Sequence, residues 1–126
     1  MALMSVRFGT NDADRASIFY DAIFAALGLH DIRVPMGPTV VLYALPGGLH
    51  FMLASPRDGK PATYGNGDIL GFVASDFAMV DRWHAEGLAH GGLCEGAPGI
   101  REEARGRYGA YLRDPDGHKI CVYASA

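Results

Sequence analysis

The chain repeats itself. At a shift of 64 residues, the offset from Asp12 to Asp76, Phe8 falls on Phe72, Ala25 on Ala89, Gly28 on Gly92 and Leu29 on Leu93. Phe19 falls on Trp83, another large aromatic. The coincidences mark the same jobs in turn: strand interior, helix cap, core face and helix stop. Self-similarity of this kind means one supersecondary unit used twice, so any fold for the chain must contain the same local order in both halves.

In the first half, Ser5 to Thr10 alternates as a strand, with Ser5, Arg7 and Gly9 on one face and Val6 and Phe8 on the other. Asn11-Asp12 supplies a short side-chain oxygen to cap a helix. Ala16, Phe19, Tyr20, Ile23, Phe24 and Leu27 recur at helical spacing, which predicts an amphipathic helix over Asp12 to Ala26, stopped at Gly28. Strands are expected at Leu29 to Val34, Thr39 to Leu45 and Leu49 to Ala54, parted by Pro and Gly turns. Ser55 to Asn66 is polar and rich in Pro and Gly, a connection between halves. The order then restarts: a strand at Asp68 to Ala74, a helix capped at Ser75-Asp76 and running to about His90, and a short strand at Leu93 to Ala97. Pro98 to Gly106 is expected as a charged loop. Tyr108 to Leu112 and Ile120 to Tyr123 close the chain as a hairpin. Its turn is Asp114-Pro115-Asp116-Gly117, where Pro115 presets φ and Gly117 tolerates a positive one. The fold class is α+β, two βαβββ units at about 1–58 and 64–126 within one domain spanning 1–126.

A chain of 126 residues fits one domain, and 49% hydrophobic with 20% charged residues is ordinary for a globular protein. A net charge of −3 gives no basic field, which argues against nucleic acid as a partner. No apolar run is long enough to span a membrane, and Met1 to Arg7 does not read as a secretory leader. Cys94 and Cys121 make neither a disulfide framework nor a CxxC site, so the expected location is a reducing cytoplasm.

The motifs Asn11-Asp12, Arg15, Phe19-Tyr20-Asp21 and Leu27-Gly28-Leu29, then Gly96 to Arg101 and Arg113-Asp-Pro-Asp-Gly-His-Lys-Ile120, span nearly the whole chain. Together they resemble the vicinal oxygen chelate superfamily, which includes glyoxalase I, bleomycin-resistance proteins, fosfomycin-resistance enzymes and extradiol dioxygenases. The resemblance implies that the two units form a curved mixed sheet around a U-shaped cavity, with helices on the outer face. It also implies a homodimer, and a divalent metal chelated by a substrate with neighbouring oxygens. The chain departs from that pattern at the metal. Where glyoxalase-like relatives place a ligand at the start of the first strand, it has Ser5. The matching place in the second unit is Ile69, and the usual Glu after the terminal turn is Cys121. The remaining ligand position falls near His50 or Met52. A metal needs three or four converging N, O or S donors, so the expected cofactor complement is none and the metal ligands are none.

The expected function is therefore metal-free binding or sequestration of a small organic molecule. The alternative is a lyase, isomerase or oxygenase with a non-standard site using His50 and Arg7. The expected pocket is lined by Ser5, Arg7, Met52, Ile69, Arg101, Tyr108, Cys121 and Tyr123. Arg7 shares a strand face with Ser5 and would hold a substrate carboxylate or other oxyanion, which makes the ligand anionic; the competing reading is a structural ion pair or an edge position in water. His50 is the candidate general base, against a solvated histidine beside a Gly-Gly turn. Cys121 as nucleophile competes with Cys121 as a small buried hydrophobe, the commoner case. Tyr108, Tyr111 and Tyr123 would stack on a planar ligand, or are ordinary strand residues. Arg101 to Arg107 reads as a solvated loop at the rim. His84 and His90 read as surface residues of the second helix, and His118 as an exposed turn residue.

Overall fold

The computed structural model describes residues 2–125; Met1, part of the chain start read above, and Ala126 lie outside them. The element order is β1 (Ser5–Gly9), α1 (Ala13–Ala26), β2 (Arg33–Val34), β3 (Val40–Ala44), β4 (His50–Ala54), β5 (Ile69–Ala74), α2 (Phe77–Ala89), β6 (Leu93–Arg101), β7 (Arg107–Arg113) and β8 (Lys119–Ala124). Short 3-10 turns at Pro46–Gly48 and Glu102–Ala104 join β3 to β4 and β6 to β7. The strands bond into two four-stranded mixed sheets, β1-β4-β3-β2 and β5-β8-β7-β6. In each, the first strand runs parallel to the last strand of its own unit, and the other pairings are antiparallel. The repeat in the residues is thus a repeat in topology.

Both helices start by the same device. The Asp12 carboxylate accepts from Arg15 N–H at 3.0 Å, and Asp76 accepts from Met79 N–H at 2.8 Å. Each satisfies one of the donors that a first turn leaves free. The expected apolar stripe of α1 is the observed one: Ala16, Phe19, Tyr20, Ile23 and Phe24 are buried. On α2 the buried stripe is Val80, Trp83, His84 and Gly87. The helices flank the sheets and pack on each other, so one continuous core joins both units. Phe24 meets Phe51 of the first sheet and Phe72 of the second, with ring centroids 5.7 Å apart in each case.

Two boundaries and the burial of one residue differ from the sequence reading. Only Arg33–Val34 of the expected Leu29 to Val34 strand pairs. Pro98 to Arg101 belong to β6, which reaches past Pro98 because register shifts at Cys94–Gly96 and Gly96–Gly99 absorb the irregular backbone. His118 is buried, not exposed, because its ring stacks on Phe8 at 4.3 Å and its Nε2 lies 2.8 Å from the Gly9 carbonyl oxygen.

The terminal turn is what ties the units together. Gly117 N–H donates to the Asp114 carbonyl at 2.9 Å, closing the turn with Gly117 at φ 92°. Asp114, 3% exposed, accepts from the backbone N–H groups of Asp116 and His118 and from the Tyr20 hydroxyl of α1 at 2.6 Å. Asp116 accepts from Thr10 Oγ1 at 2.6 Å and Asn11 N–H at 2.9 Å, and pairs with Arg15 at 3.3 Å. The connecting segment is held by the Asn11 amide, which donates to the Ala62 carbonyl and accepts from Ala62 N–H.

Candidate functional site

The helices cover one face of each sheet and leave the other open. Alternation decides which side chains stand there. In the first sheet the register pairs Ser5 with His50 and Arg7 with Met52, so these four share the open face. In the second, Gly71 pairs with Cys121, Val73 with Tyr123 and Tyr111 with Cys121, so Ile69, Val73, Cys121, Tyr111 and Tyr123 share the open face. Ile69 and Val73 are 50% and 72% exposed. The expected Ser5, Arg7, Met52, Ile69, Cys121 and Tyr123 thus lie on uncovered faces of the two sheets.

Between β1 and β5 lies a cleft of about 370 Å³. Arg7, Phe8 and Gly9 line it from the first unit, Ile69 and Leu70 from the second, with Thr63, Gly65 and Asp68 of the connecting segment. His118 and Lys119 close it from the terminal turn. Arg7 is exposed, and among the described residues its guanidinium makes no ion pair or hydrogen bond. Thr63, Asp68, His118 and Lys119 were missed from the sequence. Lys119 and His118 stood in the terminal motif, but only the parallel pairing of β5 with β8 carries them to the cleft beside Ile69.

Lys119 also opens the way to an aromatic floor on β7 and β8. Its Nζ lies 5.4 Å from the Tyr111 ring centroid. The Arg101 guanidinium lies 5.8 Å from the same ring, held by a 2.7 Å hydrogen bond to the Ala97 carbonyl, and Arg107 lies 6.0 Å from Tyr123. The Tyr111 and Tyr123 hydroxyls are 2.7 Å apart. Burial, and that shared hydrogen bond, push the Tyr123 phenol well above its ordinary value. Cys121 is 7% exposed; burial raises its thiol pKa and Lys119 only partly offsets this. A raised thiol pKa keeps the sulfur protonated and unreactive. Glu95 is held below the usual carboxylate range first by its hydrogen bond from Arg113.

Of the eight expected pocket residues, only Arg7 and Ile69 line this cleft. Tyr108 points to the helix-covered face, where it stacks on Phe77 at 4.2 Å and donates to Asp81 at 2.6 Å. His50 is exposed on the open face of β4 and does not line the cleft. The surface reading of His84 is corrected: α2 turns it inward, it is 8% exposed, and its Nε2 lies 3.2 Å from Cys94 Sγ.

Among the described residues no group of three or more His, Cys, Asp or Glu side chains comes together to hold a metal. Ser5, Ile69 and Cys121, where the resemblance leads one to expect ligands, offer a hydroxyl, a hydrocarbon and a buried thiol whose pKa burial raises. That donor set does not fit a divalent ion within one chain.

The model of the Glyoxalase/Bleomycin resistance protein/Dioxygenase superfamily matches residues 3–122. Among solved structures, a glyoxalase/bleomycin resistance protein from Albidiferax ferrireducens T118 is 38% identical, with each chain covered in full and a TM-score of 0.88. Lactoylglutathione lyase from Agrobacterium tumefaciens is 26% identical, with 98% of this chain and 93% of that one covered and a TM-score of 0.66. A glyoxalase-related enzyme from Fulvimarina pelagi, 19% identical with a TM-score of 0.80 over 99% of this chain and 88% of that one, shares the fold. Among curated proteins nothing matches the chain. Matched over nearly its whole length, and built as the same unit twice, the chain belongs to the glyoxalase/bleomycin resistance protein/dioxygenase superfamily.

Proposed function

We propose that the protein binds a small, planar, anionic organic molecule without a metal ion, in the cleft between β1 and β5 and along the tyrosine floor beside it. The observation that carries this reading is Arg7, a guanidinium with no anionic partner among the described residues, at the lip of a cleft that also presents Lys119 and His118 with the carboxylate of Asp68. A carboxylate seated there would take charge-assisted hydrogen bonds from Arg7. A ring attached to it would reach Tyr111 and Tyr123, whose faces already attract Lys119, Arg101 and Arg107. Ser5 and Met52 extend the lining on the first sheet. In this reading the two open faces curve toward one another as walls of a cup, and a second copy of the chain covers the apolar edge marked by Ile69 and Val73. Sequestration rather than turnover is the reading the thiol supports: Cys121 is buried, and burial raises its pKa.

Titration calorimetry with a panel of aromatic carboxylates, in the presence of a chelator, tests the proposal. Binding of at least one is expected, weakened about tenfold or more in Arg7→Ala, the scale of one lost charge-assisted contact of about 1.5–3 kcal/mol. Binding that appears only when a divalent metal is added would overturn it, as would an Arg7→Ala variant that binds as tightly as the parent. Light scattering of the eluting protein tests the dimer: a monomeric mass across the micromolar range refutes that part.

A further inference from the structure

A thiol and an imidazole meet away from the cleft, on the helix side of the second sheet. β6 is the edge strand, and its Cys94 is in register with Leu112 of β7. Leu112 is fully buried against α2, close to Gly87, so Cys94 carries its thiol on that same covered face. At the sheet edge the cover ends, and Cys94 is exposed. His84 comes down from α2 beside it. The buried stripe of Val80, Trp83 and Gly87 fixes the helix face on which His84 sits. Its Nε2 lies 3.2 Å from Sγ, and among the described residues the thiol is the sole hydrogen-bond partner of a ring that is more than nine-tenths buried. An accessible sulfur and an inward imidazole therefore meet through Nε2.

The neighbouring charges do not compete for that pair. Glu95 is engaged by Arg113, and Asp81, one turn before His84, accepts from Tyr108. Burial lowers the His84 pKa, partly countered by Asp81, so at neutral pH the ring is uncharged, and its Nδ1–H tautomer presents Nε2 as an acceptor for the thiol proton.

We propose that Cys94 and His84 form a thiol–imidazole pair that adds to small α,β-unsaturated carbonyl compounds, a covalent modification site separate from the ligand cleft. The thiol proton passes to His84 Nε2 as the sulfur electron pair forms a bond to the β-carbon. The π pair of the double bond moves toward the carbonyl, and the α-carbon takes the proton back from Nε2. The outcome is a thioether, with no leaving group and no oxidant. One nucleophile and one proton carrier suffice for that chemistry, and these are what β6 and α2 bring together.

The test uses the full chain at neutral pH with acrylamide as probe, read by peptide mass spectrometry at Cys94 and Cys121. Cys94 is expected to react about tenfold or more faster than glutathione under the same conditions, and His84→Asn to lose most of that gain. Cys121 is the internal control and should be unchanged between the two proteins. A Cys94 rate no greater than that of glutathione overturns the proposal and needs no variant to show it. An unchanged rate in a His84→Asn protein with native circular dichroism overturns it as well.

Discussion

Replacing Tyr20 by Phe tests whether the terminal turn holds the two units together. The ring is fully buried and touches Phe19, Phe24 and Phe51, and Phe keeps all of that apolar surface. Only the hydroxyl is lost, and with it the 2.6 Å hydrogen bond to Asp114. Asp114 is 3% exposed, so water does not readily replace the donor. Leaving a buried acceptor short of a partner costs about 1–3 kcal/mol, with the upper half expected for a carboxyl group. Its two backbone donors remain, which sets the expectation at about 2 kcal/mol. For a domain of this size, that is a fall in Tm of roughly 6–10 °C. Tyr43→Phe is the matched control. Its hydroxyl bonds Asp21 at 2.7 Å, but the Asp21 side chain is 47% exposed, so water fills the place and the loss should stay below about 1 kcal/mol. Urea unfolding measures both, with the slope unchanged if only stability has moved. A Tyr20→Phe protein within about 0.5 kcal/mol of the parent, or no more affected than Tyr43→Phe, would refute the reasoning.

Gly87→Ala should destabilise despite the better helix propensity of alanine: its Cβ would collide with Leu112 Cδ1 and press on Phe19 and Ile23. Overpacking of about 1–3 kcal/mol outweighs a propensity gain of about 1 kcal/mol, so a Tm above that of the parent would show that the core gives way. Asp76→Ala removes the cap on α2 and should cost about 1 kcal/mol by chemical denaturation, while Asp76→Asn should cost far less. His84 has a folded-state pKa below the ordinary 6.5, so the unfolded chain binds more protons once the pH drops under that value. Its contribution to stability is therefore complete above about pH 6.5 and declines as the pH falls from there toward the folded-state value. The stability difference between the parent and His84→Asn, from melts at pH 8 and pH 5.5, should shrink at the lower pH; a constant or growing difference would contradict this.

Local order was legible because it rests on short-range rules. Asp12 and Asp76 announced both helix starts, the Phe and Tyr spacing of α1 announced its buried face, and Asp-Pro-Asp-Gly announced the last turn. The repeat then required the same topology in each half, alternation along β1 put Arg7 on the face of Ser5, and the family resemblance pointed to Cys121, before any contact was known. What residues distant in the chain do to one another was not legible. His84 and His118 read as surface residues because histidine usually is one, yet helix rotation turned one toward Cys94 and the docked turn laid the other on Phe8. That Tyr108 and Tyr111, three positions apart on a strand, stand on opposite faces follows from alternation, but which of those faces α2 covers does not. Tertiary structure alone decided that Lys119 reaches both the cleft and the Tyr111 ring, because that meeting depends on which strands pair. Patterns within one element are set by the backbone period, whereas a site is set by the docking of elements, and docking follows from the packing of the whole core.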